Sequence, residues 1–283
     1  MIRNAIITAN DCALDEVNRM NNSKELHALQ NILKKMALIP GHTGFYYKNL
    51  ITGFKYGIRE NDIFSAASVI KLPLMMHILK ECHAGRMNMQ EKLTVTEADK
   101  VPICGALTLF SGNVETDIRT LCWLMISISD NTATNMLINR ATIEGAAKGF
   151  LSMGLEKTRL TRLLFDAAAA REGRQNVICL REIGMLLEQL YRHEFVSPAI
   201  SQEALDMLLL QQVDHKLNGK ICGAVPIAHK TGEDDALSND VGIVYAKQPF
   251  VICFAGHDTD VYAWEDLMRQ AAWELYMAAE NAV

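Results

Sequence analysis

Residues 68–80 read SVIKLPLMMHILK and place a serine three residues before a lysine, at the start of an apolar, helix-like run. Residues three apart lie on one face of a helix, so the amine of Lys71 can lie beside the hydroxyl of Ser68. A serine hydroxyl is a poor nucleophile until a base takes its proton, and a buried lysine near another cation can be that base. Because both residue types are common, about one such pair is expected by chance in a chain of this size. Whether this pair is catalytic therefore depends on what the rest of the chain contains.

Two further short motifs follow this pair along the chain. Ser129-Asp130-Asn131 lies between two predicted helices, and Lys230-Thr231-Gly232 lies on a predicted strand about 100 residues later. Singly each motif is weak, because Ser and Asp often cap helices and Gly is common in turns. Together with the serine–lysine pair they stand in the order that is typical of class A β-lactamases and penicillin-binding proteins.

The chain resembles class A β-lactamases and related serine penicillin-recognising proteins from about residue 25 to its end. Beyond the motifs, the stretches GALTLFSGNVETDIRTLCWLMISISDNTATNMLI (105–138) and NDVGIVY (239–245) look like segments of that family in the same order. The resemblance implies that Ser68 is the nucleophile and that Lys71 is its base. A β-lactam ring would then open to leave an acyl group on the serine.

The same resemblance gives roles to the other two motifs. Ser129 would relay a proton to the leaving nitrogen, and Asn131 would hydrogen-bond the substrate amide, while Asp130 holds the loop together. Lys230 and Thr231 would bind the substrate carboxylate. Gly232 would let the substrate backbone approach, and the backbone N–H groups of Ser68 and Glu233 would form an oxyanion hole.

The pattern of elements predicts an α/β two-lobed (α+β) architecture of the β-lactamase/transpeptidase-like kind. A helix and two strands come first, a helical block follows, and three strands and a long helix end the chain. We expect one five-stranded, mostly antiparallel sheet flanked by the terminal helices, with an all-helical lobe inserted between its strands. The predicted domains are an α/β lobe (1–61 and 211–283) and an all-α lobe (62–210), with the active site in the cleft between them.

The stretch after the second motif departs from the family pattern. Class A enzymes carry Glu-x-x-Leu-Asn there, and that glutamate serves the hydrolysis of the acyl-enzyme. Here RLTRLLFDAAAAREGRQN has no such motif, and aligning Arg162 with the family's arginine puts Leu164 at the glutamate position. Asp166 is a candidate for activating water, with loop capping as the alternative. We therefore expect β-lactams to acylate the protein and to leave it slowly.

A second departure is the acidic run Glu233-Asp234-Asp235, which directly follows the third motif. The family usually has a small residue after the glycine. Like charges disfavour each other, so these acids predict weak binding of anionic β-lactams, or a substrate with an amine or without a carboxylate. The alternative is that they are ordinary solvated loop acids.

Composition limits the remaining function classes. The chain has 283 residues, 49% of them hydrophobic and 22% charged, with a net charge of −5. Without a basic excess or a basic amphipathic stretch, neither nucleic acid nor a membrane surface is predicted as a partner. The seven cysteines are scattered, with no metal-ligand spacing, so reduced thiols are expected and neither a metal nor another cofactor is predicted. Cys104 is expected near the cleft entrance by its place in the family.

The predicted partner is a small molecule, a β-lactam or an acyl-D-amino-acid-like or ester-like compound, bound by a monomer. The apolar run at residues 5–7 is too short for a signal peptide, so a cytoplasmic location is expected, or a periplasmic or secreted one if a leader was removed. A D-Ala-D-Ala-type peptidase or esterase remains an alternative function. So does a penicillin-binding sensor protein that is acylated without efficient turnover.

Overall fold

The computed structural model describes residues 24–102 and 104–281. Its helices are α1 (Lys24–Met36), α2 (Lys71–His83), α3 (Ile118–Ser127), α4 (Asn131–Ala141), α5 (Ile143–Ser152), α6 (Ala167–Arg171), α7 (Leu180–Tyr191), α8 (Pro198–Leu209) and α9 (Val261–Glu280). Its strands are β1 (His42–Asn49), β2 (Lys55–Ile58), β3 (Phe64–Ser65), β4 (Lys92–Val95), β5 (Val114–Asp117), β6 (Val177–Ile178), β7 (Ile227–Asp234), β8 (Leu237–Val244) and β9 (Phe250–His257). Cys12 and the apolar run at residues 5–7 lie outside the described residues.

Five strands form one sheet in the order β2-β1-β9-β8-β7. Every neighbouring pair in it is antiparallel, which confirms the predicted sheet. The central strand β9 reads FVICFAGH and is buried along nearly its whole length. Such a continuous apolar run is typical of a strand that is covered on both faces. The third motif lies on β7, at one edge of this sheet.

The terminal helices cover one face of the sheet, as predicted. Leu29 and Ile32 of α1 and Trp264 of α9 join the same buried cluster as Phe254 of β9. The indole Nε1 of Trp264 also donates a hydrogen bond to the carbonyl oxygen of Ser238, at 3.0 Å. Because a buried Trp needs a partner for its N–H, this bond fixes α9 against β8.

The other face carries the helical block, with α2 at its centre. The first nine residues of α2, Lys71–Leu79, are all buried. Two short ribbons, β3–β6 and β4–β5, interrupt the block. Strands of two to four residues offer too few alternations for periodicity to reveal them, so the sequence did not predict these two ribbons. The residue boundaries of the two predicted lobes stay a prediction.

A 3₁₀ turn at Ala67–Ile70 leads directly into α2 and carries Ser68. Ala67 has φ 42°, in the left-handed region that costs energy for a residue with a Cβ. Pro73 is the third residue of α2, where the missing N–H leaves no intrahelical bond unmade. The chain is thus bent sharply before Ser68, which lies ahead of the first full turn of the helix.

Candidate active site

Ser68 opens onto a cavity of about 480 Å³. Cys104, Asn131, Leu164 and Glu233 line the same cavity, so it is built by the 3₁₀ turn, the segment at Cys104, the start of α4, the loop before α6 and β7. Ser68 itself is half-buried and Cys104 is exposed, as expected for a residue near the entrance. The cavity therefore brings the serine of the first motif beside the second and third motifs.

Lys71 lies beneath this cavity and is fully buried. Its Nζ donates to the carbonyl oxygen of Ser129 at 2.8 Å, to the Ser129 Oγ at 3.0 Å and to the Asn131 Oδ1 at 2.7 Å. Within the described residues no hydrogen bond joins Lys71 Nζ to Ser68 Oγ. Burial, with the nearby Lys230 charge as a second cause, lowers the Lys71 pKa well below its usual range. The amine is thereby moved towards the neutral form that a base needs.

The turn between α3 and α4 is organised by Asp130. One oxygen of its buried carboxylate accepts from the N–H groups of Ala106 and Leu107, at 2.7 and 2.9 Å. The other accepts from Ala133 N at 2.8 Å and caps α4. The prediction that Asp130 holds the loop together is confirmed. Ser129, with φ 57°, turns the chain so that its hydroxyl meets Lys71.

Lys230 approaches Ser129 from the opposite side. Its Nζ donates to Ser129 Oγ at 3.2 Å and to the carbonyl oxygen of Thr231 at 2.9 Å. Burial, followed by the charge of Lys216, lowers the Lys230 pKa to about 7. Ser129 Oγ thus accepts from the amino groups of both lysines, which leaves its own proton free to be donated elsewhere.

Gly232 sets how closely β7 approaches the turn that carries the serine. A Cβ at this position would lie 3.0 Å from Ala66 O and 3.1 Å from Ser68 N. The side chain of Asn239 ties the same turn to β8, since its Nδ2 donates to Ser65 O at 2.9 Å and to Ala66 O at 3.1 Å. The glycine therefore serves the contact between two parts of the protein itself. Its expected role towards the substrate backbone stays a prediction.

Lys216 is a charged residue of the site that the sequence reasoning missed. It is fully buried, and its Nζ lies 2.9 Å from Glu233 Oε1 in an ion pair. The same ammonium donates to Gly232 O at 3.4 Å and to Asn239 O at 3.2 Å. Glu233 is therefore no ordinary solvated loop acid, because its charge is paired with a cation directly behind the third motif.

Glu233 also belongs to a cluster with His215 and Glu265. The His215 Nε2 lies 3.6 Å from Glu233 Oε1 and 3.5 Å from Glu265 Oε2. Their ligand atoms are close enough to hold a metal ion. However, both carboxylates already have cationic neighbours, Lys216 at 2.9 Å and Arg269 at 3.8 Å. These cations offset the negative charge that would attract a metal.

The loop before α6 contributes the remaining wall of the cavity. The Asn135 side chain donates to Leu164 O at 3.0 Å and accepts from Leu164 N at 2.9 Å, so both backbone groups of Leu164 are held. Leu164 is partly buried and lines the cavity with Ser68. Asp166 caps α6 by accepting from Ala169 N at 2.9 Å, as the capping alternative had it. It also lines the cavity, and its role towards water stays a prediction.

The comparison with protein families matches residues 26–278 to the beta-lactamase enzyme family. The chain belongs to this family. A beta-lactamase of Rhodobacter capsulatus is 32% identical over 167 residues, which are 57% of this chain and 50% of that protein. The chain thus spans about half the length of that relative.

Solved structures carry the same fold. A beta-lactamase of Sphaerobacter thermophilus superposes with a TM-score of 0.82 over 90% of this chain and 98% of the other, at 23% identity. The protein PBP-A gives a TM-score of 0.82 over 90% of this chain and 97% of its own, at 28% identity. A leucine-to-glutamate variant of PBP-A has been captured as an acyl-enzyme complex with penicillin G, with the same TM-score.

Membership of the beta-lactamase enzyme family agrees with the resemblance on which the residue roles were based. The site residues predicted from the motifs converge on one cavity or lie directly beneath it. The helices of the described segments 24–102 and 104–281 include none with the length and hydropathy needed to cross a bilayer. The sequence reasoning missed Lys216, Asn135 and Asn239, although the family segment NDVGIVY already began at Asn239.

Proposed function

We propose that the protein is a serine acyl-transfer hydrolase that opens β-lactam rings through an acyl-enzyme on Ser68. The observation that carries this proposal is the convergence of Lys71 and Lys230 on Ser129 Oγ, directly beneath the cavity that Ser68 lines. Such a set supplies a nucleophile, a base of lowered pKa and a proton donor within one site.

In the proposed reaction, Ser68 Oγ bonds to the lactam carbonyl carbon while its proton passes to the neutral Lys71 amine. The charge that develops on the carbonyl oxygen is stabilised by backbone N–H groups, proposed to be those of Ser68 and Glu233. The ring C–N bond then breaks, and the nitrogen takes a proton from Ser129. Lys71 then returns the proton to Ser129, which restores both groups to their starting protonation states and leaves an ester on Ser68. Asn131, Lys230 and Thr231 are proposed to hold the substrate.

We further propose that the ester is hydrolysed slowly. Leu164 lies where the family's glutamate is expected, and its side chain cannot take a proton from water. Asp166 is within the same cavity, but one of its carboxylate oxygens is used as a helix cap. The likeness to PBP-A, a variant of which forms an acyl-enzyme with penicillin G, supports the acylation step of this proposal.

A peptidase or esterase acting on acyl-D-amino acids is the second candidate. The lack of a glutamate at Leu164 favours it over a fast β-lactamase. Such an enzyme needs the same acylation machinery, because its substrate also forms an ester with the serine. Turnover of an activated ester beside a chromogenic cephalosporin separates the two candidates.

The test is a time course of intact mass after benzylpenicillin is added. We expect the protein to gain the mass of one whole penicillin, since ring opening loses no atom, and to keep it for many minutes. The Ser68→Ala variant is the control and should gain nothing. Rapid multiple turnover without an adduct would contradict slow deacylation, and the absence of both adduct and turnover would overturn the acylation itself.

A further inference from the structure

The ammonium of Lys216 is buried behind the cavity wall, and the carboxylate of Glu233 covers it. The Lys216 side chain has no exposed surface, whereas the Glu233 side chain paired with it is 48% exposed. Glu233 also lines the cavity that contains Ser68. The Lys216 ammonium is therefore separated by one ion pair from a residue that lines the Ser68 cavity.

Charge balance makes a partner for Lys216 obligatory. A buried cation without a counter-charge is costly, and Lys216 lies close enough to Lys230 to lower the pKa of that lysine. The other nearby acid, Asp240, is already bound to His229 Nδ1 at 3.0 Å and to Leu217 N at 3.1 Å. Asp240 is fully buried and cannot move away, so Glu233 is the counter-charge that can be exchanged.

We propose that Glu233 is an internal carboxylate that occupies Lys216 in the free protein, and that a carboxylate-bearing acyl donor binds by displacing it. The inference rests on the proposed acylation of Ser68 for its role in catalysis, but the exchange at Lys216 is a binding event of its own. His215 offers the displaced Glu233 a second contact, because its Nε2 is already within 3.6 Å of the Glu233 carboxylate.

The exchange sets a preference among substrates. A neutral acyl donor leaves the Glu233–Lys216 pair intact, whereas an anionic donor has to break that pair before it gains the same ammonium. This differs from a general repulsion by the acidic run, in which Asp234 and Asp235 would act as Glu233 does. Substitutions within the run therefore distinguish the two explanations.

The first experiment compares Glu233→Ala with its matched control Asp235→Ala, which removes the same charge from an exposed residue outside the cavity. Acylation rate constants are measured with benzylpenicillin and with its neutral methyl ester. The ratio of the acylation rate constant for benzylpenicillin to that for its methyl ester should rise roughly fivefold in Glu233→Ala. This is the effect expected when a half-exposed ion pair no longer has to be broken. Asp235→Ala should leave the ratio within about twofold. Equal effects of the two variants would overturn the proposal.

The second experiment needs no catalysis and separates this inference from the proposed function. Thermal unfolding is followed in acetate and, as the neutral control, in acetamide. Because a ligand that binds only the folded state raises the midpoint, acetate should stabilise Glu233→Ala more than the wild type, and acetamide should stabilise neither. Adding Lys216→Met should abolish the acetate effect. If acetate does not raise the unfolding midpoint of Glu233→Ala, the proposed exchange is overturned, even if Ser68 is acylated. If acetate raises that midpoint but Ser68 is not acylated, the exchange stands and only the proposed function is refuted.

Discussion

The two walls of the Ser68 cavity are built in opposite ways. On one wall, Lys71 and Lys230 are fully buried and hold Ser129 Oγ between them at 3.0 and 3.2 Å. On the other wall, the loop before α6 presents the apolar side chain of Leu164 and an aspartate that caps a helix. In the proposed reaction, the first wall supplies the groups that transfer protons during acylation, whereas the second offers no dedicated base for water.

This contrast indicates that acylation and deacylation are separable properties of the fold. The Asn135 side chain holds Leu164 in place through two hydrogen bonds to the Leu164 backbone. These bonds depend little on the side chain at residue 164. A change of side chain there alters the chemistry of one wall without disturbing the other. The following predictions test that independence.

The largest effect is expected at the wall that Lys71, Ser129 and Lys230 form. Lys71→Met should slow acylation by benzylpenicillin by about 10³-fold, because it removes the proposed base for the Ser68 proton. The measurement is the rate of adduct formation by intact mass. Lys80→Met, on the exposed end of the same helix, is the control and should acylate normally. Acylation of Lys71→Met at the wild-type rate would show that another group is the base.

The next largest effect is expected at the wall formed by the loop before α6, which carries Leu164. Leu164→Glu should shorten the lifetime of the penicillin adduct on the order of 100-fold, since a carboxylate there can take a proton from water. The rate of adduct formation should change little. Leu164→Gln introduces a polar side chain of the same shape without a base, so it serves as the control. If both variants release the acyl group equally fast, general polarity rather than base catalysis is responsible.

The pH dependence of stability sharpens the description of the lysine wall. The Lys230 pKa is lowered to about 7 in the folded state, whereas an unfolded lysine titrates near 10.4, so the unfolded chain binds more protons between these values. Its contribution to the free energy of unfolding should therefore increase with pH in that window, by about 1 kcal/mol per pH unit. Urea unfolding of wild type and Lys230→Met at several pH values measures this difference. Lys220→Met, at an exposed lysine, is the matched control variant.

The smallest effect is expected at Asp166. Asp166→Ala should lower the free energy of unfolding by about 1 kcal/mol through loss of the α6 cap, while Asp166→Asn retains a capping oxygen and should cost less. The adduct lifetime should be the same in both variants and in the wild type. A longer lifetime in Asp166→Asn, which cannot act as a base, would identify Asp166 as the water-activating residue instead.

The sequence predicted the parts of the site that are local in the chain. Ser68 and Lys71 are one helical turn apart, and Ser129, Asp130 and Asn131 form a single turn, so spacing and motif order were sufficient. The sheet followed from apolar runs that were long enough to show a period. The two ribbons inside the helical block were too short to do so.

Contacts between distant segments could not be read in the same way. Lys216 meets Glu233 only because the segment before β7 folds back behind that strand, and Asn135 meets Leu164 across 29 residues. A lysine that will be buried looks in sequence like one that will be solvated. All three acids of the run are exposed, but the structure pairs Glu233 with a buried cation, which the sequence pattern did not reveal.

The missing side chain of Gly232 limits where this family member can change its substrate preference. Even a methyl group there would press on the backbone at Ala66 and Ser68, so the nucleophile itself would shift. Residue 233 is the next position along β7, and its side chain points to solvent and to the cavity at once. Glu233 is thus the earliest place after the motif where substrate preference can diverge without a cost to the geometry of attack.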